Sequence, residues 1–480
     1  MIKKEDLHQI TEYLWEIPKS FNPKMLVPAR FYASQKLLNE ILQDKSLEQL
    51  VNVCSLKGIQ KYGLALPDIH EGYASPIGGV AALKVEDGVI SPGMQGYDIN
   101  CGMRILTSPY QEKEIRPYLE RLVDQISRDI PSGLGQGRET KLTLTQLDKI
   151  LEGGAYQLVK EGYGDEEDLE YCEAGGYLKG AEAGVVSDLA KKRGQAQLGT
   201  LGAGNHFLEI QVVNQIFQPE IAQVFGLFLK QVVLMIHTGS RGLGHQVATD
   251  YIKEFLPLSE KYYLNLVDPE FACVPFQSPE GQACFKASQA AANYAWANRQ
   301  LISYYLRKAW QKVLGERDNT LQVLYDVAHN IIKLEEYQLE GKKTLLAVHR
   351  KGATRSFPPG HPEIPLKYRA VGQPVLIPGS MGSPSYVLSG TEEAEASFYS
   401  ACHGAGRVMS RHQALKKISG QELKQKLSRQ GILVKVNYLA GLPEEAPWAY
   451  KDINEVVEVV TQAGLAQKVA ELKPLAVIKG

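Results

Sequence analysis

The sequence predicts a mixed α+β fold that forms a single domain over residues 1–480, with central β-sheets surrounded by helices. Beyond residue 195, four segments each combine a short apolar run with a histidine and with glycine or another turn residue, which is typical of strands that support a site. Helical patterns, such as residues 287–314, lie between these segments. No low-complexity tract, repeat or Pro/Ser-rich linker divides the chain, so one domain is expected.

The N-terminal part of the chain is predicted to be helical. Residues 1–60 are interpreted as an N-terminal helical segment packed on the domain, because Leu37, Leu38, Ile41 and Leu42 form one apolar stripe. Residues 61–107 then change to glycine-rich loops between short strand-like runs. Dense glycine in loops allows the backbone to approach a ligand closely, so this part of the chain is a candidate for function.

Two later segments have distinct predicted roles. Residues 111–195 are charged and have a helical pattern, which we interpret as a helical insertion on the sheet core. Residues 475–478 are a short apolar, strand-like run that is expected to dock on the core. Such docking would hold the next residue, Lys479, in a fixed place where it could reach a ligand.

Composition and charge exclude several classes of protein. Hydrophobic residues make up 44% of the chain and charged residues 22%, which excludes a largely disordered protein. The net charge of −1 means that any nucleic acid must bind to a local basic patch. The six cysteines contain no Cys-x-x-Cys pair, which favours a reducing, cytoplasmic setting. We expect no signal peptide and no membrane segment, because even the most apolar window, residues 221–236, is too polar.

A glycine-punctuated turn at residues 91–102 carries the first candidate ligands. It places the carboxyl group of Asp98 and the thiol of Cys101 three residues apart, so that both can point to one side of the backbone. A divalent cation between them would offset both charges and hold the thiol deprotonated. Taken alone, the pair also fits a capping aspartate beside a buried cysteine.

Histidines at the ends of strand-like runs extend this candidate to a metal centre. Each of them also fits an ordinary structural histidine, but a strand end gives an imidazole a fixed orientation. The predicted ligand set is Asp98, Cys101, His206, His237 and His329. Five ligands are too many for one tetrahedral ion and suit two ions that share Cys101. Ligand softness alone predicts zinc.

A second cluster, at residues 378–386 and 401–407, is typical of a phosphate-binding loop. Its glycines precede a predicted helix over residues 408–417, and Arg407 could add a bidentate phosphate contact. His403 lies beside the loop, where an imidazole could act as a base or as a nucleophile toward phosphorus. The sequence matches neither of the common nucleotide-binding signatures, so a plain turn stays open.

Several short motifs along the chain form a recognisable set. They are Pro67-Asp68-Ile69-His70, Pro76-Ile77-Gly78-Gly79, Gly96-Tyr97-Asp98-Ile99-Asn100-Cys101-Gly102, Gly204-Asn205-His206-Phe207, residues 237–244, His329-Asn330, residues 350–355, residues 378–382, His403-Gly404-Ala405-Gly406-Arg407 and Tyr450-Lys451-Asp452. Together they resemble the RtcB family of RNA-splicing ligases, and its longer archaeal and eukaryotic-like form in particular. The resemblance runs from about residue 20 to Lys479. One departure is Ala74, which stands where the family commonly has glycine.

The resemblance implies a deep active-site cleft and a GTP- and Mn²⁺-dependent RNA ligase. Such an enzyme joins an RNA 2′,3′-cyclic phosphate or 3′-phosphate end to a 5′-hydroxyl end. His403 would form a covalent histidine–GMP adduct, and the five ligands named above would hold two manganese ions. Zinc, which ligand softness favours, is then expected only as an occupant of the purified protein.

The resemblance also implies two further groups of site residues. The guanylate would be surrounded by Asn205, Phe207, Glu209, Asn330, Ser380, Ser385, Gly404, Ala405, Gly406, Tyr450 and Lys479. Phosphates of the RNA would be contacted by Arg241, Arg350, Lys351, Arg355 and Arg411, although each of these also fits an ordinary salt-bridge residue.

Two other functions stay open at the level of the sequence. A dinuclear metallophosphoesterase would use the same metal ligands but would need neither a purine pocket nor a nucleophilic histidine. A non-catalytic RNA-binding scaffold would not need a complete ligand set. For the ligase, the expected partner is RNA, either tRNA halves or broken RNA under repair, together with an archease-like activator; a monomer is expected.

Overall fold

The computed structural model describes residues 2–264, 266–315 and 319–480, and the predicted α+β class is confirmed. The strands of the described residues are β1 (His8–Gln9), β2 (Leu14–Ile17), β3 (Ala29–Tyr32), β4 (Gly63–His70), β5 (Ile77–Lys84), β6 (Val89–Ile90), β7 (Gly102–Gln111), β8 (Phe207–Ile216), β9 (Gln231–Thr238), β10 (Val274–Pro275), β11 (Gln322–Ala328), β12 (Asn330–Leu339), β13 (Lys342–Lys351), β14 (Ala353–Arg355), β15 (Pro374–Ile377), β16 (Ser385–Gly390), β17 (Ser400–Cys402), β18 (Leu433–Val436) and β19 (Ala466–Lys479). The α-helices are α1 (Gln35–Ile41), α2 (Ser46–Val53), α3 (Glu112–Ile115), α4 (Leu119–Asp129), α5 (Leu144–Lys160), α6 (Glu166–Glu170), α7 (Asp188–Gly194), α8 (Pro219–Val224), α9 (Arg241–Lys261), α10 (Pro279–Leu314), α11 (Arg411–Leu415), α12 (Gly420–Arg429) and α13 (Ile453–Gln462).

Two large sheets form the centre of the fold. A seven-stranded sheet has the order β1-β2-β3-β4-β5-β13-β12. An eight-stranded sheet has the order β11-β7-β9-β8-β19-β16-β15, and β18 pairs with β19 in parallel. The long strand β19 therefore bonds to β8, β16 and β18. It contains residues 475–478, so the expectation that this run docks on the core is confirmed.

Helix α10 is the longest helix and lies in the core, beneath the loops that carry the site. Ser278 caps its first turn by accepting a hydrogen bond from the Gly281 N–H, and Gly315 ends it in the left-handed conformation with φ 75°. Buried alanines such as Ala291 and Ala295 allow α5 and α9 to pack closely against it. The predicted helix over residues 287–314 is confirmed, and it begins earlier, at Pro279.

The N-terminal segment is less helical than predicted. Three residues of the apolar stripe, Leu37, Leu38 and Ile41, do lie on a helix, α1, and Leu42 follows its last turn. Residues 1–60 also contain the strands β1, β2 and β3. These strands have two to four residues, which is too short to give a recognisable alternation in the sequence. Their formation depends on tertiary contacts, because β3 pairs in parallel with β4 over Ala29–Phe31.

Residues 111–195 have the predicted helical character. The longest helices of this segment are α4 and α5. Thr143 and Gln146 form a capping box at the start of α5. Among all the helices of the described ranges, none combines the length and the apolarity that a membrane span would require.

The strand register brings the ends of several strands together. In the eight-stranded sheet, β9 lies between β7 and β8, so that His237 is opposite Met103 on one side and Phe207 on the other. On the outer side of β7, Ala328 pairs with Gly102, and the His329 N–H donates to the Cys101 carbonyl at 2.9 Å. Residues that are far apart in the sequence thereby meet at one edge of this sheet.

Candidate metal centre and nucleotide cleft

Five side chains from these strand ends form two groups that could each hold a metal ion. Cys101, His237 and His329 form one group, and Asp98, Cys101 and His206 form the other. The Cys101 Sγ atom lies 3.4 Å from His206 Nε2 and 3.3 Å from His237 Nε2. His206 Nε2 lies 2.8 Å from Asp98 Oδ2, and His237 Nε2 lies 3.3 Å from His329 Nε2. The geometry therefore suits two ions with Cys101 between them.

The protonation states of these groups fit metal binding. His237 Nδ1 lies 2.9 Å from the Asn205 carbonyl and donates to it, which leaves Nε2 with its lone pair toward the centre. Burial holds the pKa values of His237 and His329 well below the usual range, so both imidazoles are neutral. Burial, and next the charge of Asp98, hold the pKa of the Cys101 thiol well above its usual range. A thiolate at this position therefore requires a cation beside it.

A buried arginine from α10 supports the turn that carries two of the ligands. Arg299 donates from Nη1 to the carbonyl of Asn100 at 2.8 Å and to that of Thr238 at 2.9 Å. It also donates to both carboxylate oxygens of Asp326, at 2.9 Å and 2.8 Å. Asn100 itself has a left-handed backbone, with φ 52°, which this hydrogen bonding helps to stabilise. Arg299 thus ties the turn of Asp98 and Cys101 to the end of the strand that carries His237.

A glycine allows the close approach of the carboxylate to this strand end. A Cβ atom at Gly239 would lie 2.5 Å from Asp98 Oδ1, so any larger residue would displace the ligand. Asp98 is ionised, because the hydrogen bond and charge of His206 outweigh the effect of burial and lower its pKa to about 2. The second group therefore offers a carboxylate, a thiol and an imidazole whose ligand atoms lie within 4.8 Å of one another.

His403 lies next to this centre and is oriented by a buried carboxylate. Its ring is edge-on to the ring of His329, with the centroids 5.0 Å apart. Its Nδ1 atom lies 2.6 Å from Asp68 Oδ2, which also accepts the backbone N–H of His403 at 3.1 Å. Asp68 is fully buried, and His403 is the main partner that keeps its pKa below the usual value despite burial. With the proton held on Nδ1, the other ring nitrogen, Nε2, keeps its lone pair.

The same residues line one cleft, whose volume is about 270 Å³. Its walls include all of the metal-centre residues except His206, together with His403 and the loop Gly404–Gly406. Gly406 has φ 77°, and a Cβ atom there would lie 2.2 Å from the Asp68 carbonyl oxygen. The glycine loop therefore packs directly on the strand that carries Asp68.

One wall of the cleft offers polar groups suited to a nucleobase. The side chain of Glu209 is buried, with Oε2 accepting from Gln211 Nε2 at 2.7 Å and Oε1 without a partner among the described residues. The Lys479 ammonium donates to the carbonyl oxygens of Gly204, at 2.5 Å, and His206, at 3.3 Å. The Tyr450 ring also lines the cleft, and its hydroxyl donates to Glu445. A free carboxylate oxygen, an ammonium group and an aromatic ring therefore lie in one cavity.

The other residues predicted to bind guanylate fall into two groups. Asn205, Phe207, Ser380 and Ala405 line the cleft. Asn330 also lines it, but its amide already donates to the Asp98 carbonyl at 3.0 Å and accepts from the Gly352 N–H at 2.8 Å. Ser385 does not line it, because its hydroxyl lies behind the loop and accepts from the Gly379 N–H at 3.1 Å. These last two side chains hold the walls of the cleft together.

The residues predicted to contact RNA need correction. Arg350 is fully buried and makes a two-bond ion pair with Glu335, at 2.6 Å and 3.0 Å. Arg355 is 1% exposed and pairs with Glu363 at 2.6 Å. Both guanidinium groups are structural, so the prediction that they contact RNA is wrong. The sequence could not reveal this, since it does not show which glutamates lie opposite them.

The remaining three basic candidates lie nearer the cleft. Arg411 lines it with a side chain that is 58% exposed, and it is weakly paired with Glu444 and Glu445 at 3.9 Å and 3.7 Å. Arg241 lies at the start of α9 and donates to the Thr200 hydroxyl at 3.3 Å. Lys351 also lines the cleft, but its ammonium group bonds to backbone carbonyls. Arg411 is therefore the most accessible of the five.

Sequence reasoning assigned no role to Asp68 or to Arg299. Asp68 lies in the Pro67-Asp68-Ile69-His70 motif, so a signal was present, but its partner His403 is 335 residues away in the chain. Arg299 lies in a helical stretch with no motif around it. A charged residue just after an alanine-rich stretch was the only available signal for it.

Comparisons with known proteins identify close relatives. The family model described as "tRNA-splicing ligase RtcB" matches residues 49–480. The chain is 51% identical over 477 residues to proteins named tRNA-splicing ligase RtcB from Thermococcus kodakarensis and Archaeoglobus fulgidus, with 99% of this chain and of each relative covered. A protein of the same name from Aeropyrum pernix is 49% identical over 476 residues, which cover 98% of this chain and 99% of the relative. The similarity extends over almost the whole length of each protein.

Proposed function

Because the chain belongs to the RtcB family of tRNA-splicing ligases, we propose that it joins an RNA 3′-phosphate or 2′,3′-cyclic phosphate end to a 5′-hydroxyl end, with GTP and manganese. The observation that carries this proposal is the position of His403, whose ring centroid lies 5.0 Å from that of the candidate metal ligand His329. Both line the cleft that contains Glu209 and Lys479. A nucleophile, a metal centre and a base-recognition wall thus share one cavity.

The first step is the guanylylation of His403. Its Nε2 lone pair attacks the α-phosphorus of GTP, a P–N bond forms, and the bond to the β-phosphate oxygen breaks with release of pyrophosphate. Asp68 keeps the proton on Nδ1 and stabilises the positive charge that the ring acquires. The backbone of Gly404–Gly406 lies beside the nucleophile, where the α-phosphate would bind.

The metal ligands would be Asp98, Cys101, His206, His237 and His329, with Cys101 shared between two ions. Bound manganese ions would stabilise the negative charge that develops on phosphoryl oxygens. Imidazole and thiolate ligands bind zinc more tightly, so manganese would be selected by geometry and by its supply, and zinc would occupy part of the purified protein.

The guanine base would be read by the buried wall of the cleft. The free Oε1 of Glu209 can accept hydrogen bonds from the N1–H and the amino group of guanine, which adenine does not offer in this arrangement. Lys479 can donate to the guanine O6 atom, and the Tyr450 ring can stack on the base. This arrangement favours GTP over ATP.

Two RNA steps then complete the reaction. The RNA 3′-phosphate attacks the histidine-bound phosphorus, the P–N bond breaks, and GMP is transferred to the RNA end. The 5′-hydroxyl of the other strand attacks the activated 3′-phosphate, and GMP leaves as the new phosphodiester bond forms. A cyclic phosphate must first be opened by water to give the 3′-phosphate. The substrates would be tRNA halves or broken RNA in the cytoplasm, and the enzyme would act as a monomer with an archease-like activator.

The alternative functions are less well supported. A metallophosphoesterase would leave the Asp68–His403 pair and the unpaired Glu209 oxygen without a purpose. A non-catalytic RNA-binding scaffold would not require two complete ligand groups around Cys101. The ligase accounts for all three features.

The direct test is incubation of the purified protein with manganese and α-labelled GTP, followed by denaturing electrophoresis and mapping of the label. An acid-labile, base-stable label on His403 is expected, and α-labelled ATP serves as the control nucleotide. Absence of label from protein that contains both metals, with and without an activator, would contradict the proposal.

Replacing Asp68 by asparagine is expected to slow guanylylation by about two orders of magnitude or more. The asparagine amide can donate to Nδ1, which would move the ring proton to Nε2 and block the nucleophile. Rates of adduct formation, measured beside metal content and Tm, check this prediction. A normal rate in a folded, metallated D68N protein would show that the carboxylate does not orient His403.

The affinity for guanosine is expected to rise with pH between about 6 and 8. Burial raises the pKa of Glu209 to about 7, so the carboxyl group is mostly protonated at the lower pH. Only the ionised form can accept both guanine donors, and binding should therefore strengthen up to about tenfold per pH unit below this pKa. Calorimetric titration with guanosine, which carries no phosphate to titrate, is the measurement. A Glu209→Gln variant should bind more weakly and lose the slope, and an equal slope in both proteins would contradict the assignment.

A further inference from the structure

Three aromatic side chains at the cleft, Tyr73, Tyr97 and His245, are not used by the steps described above, and we call them the aromatic rim. The Tyr73 and Tyr97 rings are edge-on, with centroids 5.6 Å apart and planes at 83°. The Tyr97 and His245 rings are stacked, with centroids 5.0 Å apart and planes at 28°. Tyr73 and Tyr97 both line the cleft that contains His403. Tyr73 is nevertheless 62% exposed.

The backbone that carries Tyr73 is fixed on both sides. Gly72 exchanges two hydrogen bonds with the Gln49 side chain, at 3.0 Å through its N–H and at 2.6 Å through its carbonyl. The Ala74 N–H donates to Glu270 Oε2 at 2.6 Å, and Ala74 has a left-handed backbone with φ 58°. The exposed ring therefore projects from a rigid loop, and it would lose little conformational entropy when a ligand covers it.

A buried lysine connects the two loops that carry the tyrosines. The Lys351 ammonium donates to the carbonyls of Tyr73, of Ser75 at 2.9 Å and of Gly93 at 3.1 Å. Gly93 lies in the loop that leads to Tyr97, so one side chain holds both loops in a fixed relation. The aromatic rim is thus built into the structure, although it contributes little to the core.

The aromatic rim also lies beside groups that attract phosphate. Tyr97 directly precedes the candidate metal ligand Asp98 in the chain. His245 lies near the start of α9, which begins at Arg241. A nucleotide whose phosphate approaches the metal centre and Arg241 would have its base within reach of these rings.

We propose that the aromatic rim stacks an unpaired nucleobase at the reacting end of the RNA. Aromatic rings bind bases of any identity through their faces, which suits an enzyme that must join ends of different sequence. The guanine of GTP has its own ring, Tyr450, so the aromatic rim is free for the RNA. This inference rests on the proposed function, because it assumes that an RNA end enters the cleft.

The test is a thermodynamic cycle between Tyr73 and the terminal base, measured by direct RNA binding. Fluorescence anisotropy would give Kd values for short single-stranded RNAs that carry either a normal or an abasic nucleotide at the reacting end. One pair of RNAs ends in a 3′-phosphate and the other pair begins with a 5′-hydroxyl. Comparing the two pairs shows which of the two reacting ends stacks its base on the aromatic rim. Wild-type protein and the Tyr73→Ala and Tyr73→Phe variants are compared.

The wild-type protein is expected to bind at least one normal RNA about tenfold more tightly than its abasic partner. Tyr73→Ala should bind the normal RNA about tenfold more weakly and lose the preference for a base, while Tyr73→Phe should keep it. Tyr156→Ala is the matched control, since Tyr156 is exposed and stacks on Tyr177 but does not line the cleft. Equal binding of normal and abasic RNA by the wild-type protein, or an unchanged preference in Tyr73→Ala, would overturn the proposal.

Failure of this proposal can be told apart from failure of the proposed function. The binding cycle needs no turnover, so it measures stacking whether or not His403 forms an adduct. Labelling of the wild-type protein with GTP tests the ligase chemistry separately. If GTP labels the wild-type protein but the binding cycle shows no coupling between Tyr73 and the terminal base, the stacking proposal is refuted and the ligase proposal is not.

Discussion

Cys101→Ala is expected to reduce both guanylylation and RNA joining by about a thousandfold or more. Among the described residues, the Cys101 Sγ atom is the only ligand atom that belongs to both candidate metal groups. Its removal therefore weakens the binding of both ions. Each ion supplies several kcal/mol of transition-state stabilisation in reactions of this class. The variant should also lose most of its bound metal, as measured by elemental analysis after dialysis against manganese.

A second buried cysteine provides the control for this experiment. Cys284 is 1% exposed on α10 and takes part in neither metal group, so Cys284→Ala should keep its metal and its activity. Cys101→Ser would show whether an oxygen ligand can partly replace the thiolate. Full activity in a Cys101→Ala protein would refute the two-metal assignment.

His403→Ala is expected to abolish the labelled GMP adduct while leaving metal content near normal. The imidazole is the proposed nucleophile, and it lies between Asp68 and the candidate metal ligand His329. Its removal does not delete a metal ligand, so metal content separates this defect from that of Cys101→Ala. The measurements are denaturing electrophoresis with α-labelled GTP and elemental analysis of the same sample.

His349 offers the matched control for His403. It is also a buried histidine, 1% exposed, but it does not line the cleft, and its Nδ1 lies 3.1 Å from the Ala347 carbonyl. His349→Gln should still form the adduct. A labelled adduct that persists in His403→Ala would place the nucleophile elsewhere and would require a different assignment.

The sequence predicted those features that depend on local pattern. An apolar run next to a histidine, as at His237, predicts both a strand and an oriented side chain, and the structure has this arrangement. The apolar run before Lys479 similarly predicted a strand that holds the lysine in place. In each case the information lies within a few neighbouring residues.

The features that could not be predicted depend on pairings across long distances in the chain. The role of Asp68 follows from a contact with a residue 335 positions away, and no local signal identifies that partner. Arg350 was interpreted as an RNA contact for the same reason, because its partner Glu335 is visible only in the β12–β13 pair. The strands β1, β2 and β3 are too short to show an alternation of apolar and polar residues. They form because β3 pairs with β4 and β2 pairs with β3.

The position of β19 has a consequence for the synthesis of the protein. This strand bonds to β8, which is made more than 200 residues earlier, and to β16, so neither partner can complete its hydrogen bonding until residues 466–479 have left the ribosome. During that interval the exposed edges of β8 and β16 could pair with other chains. The nascent protein should therefore depend on chaperones until β19 has emerged, and chains that stop before β19 should aggregate rather than accumulate as partly active enzyme.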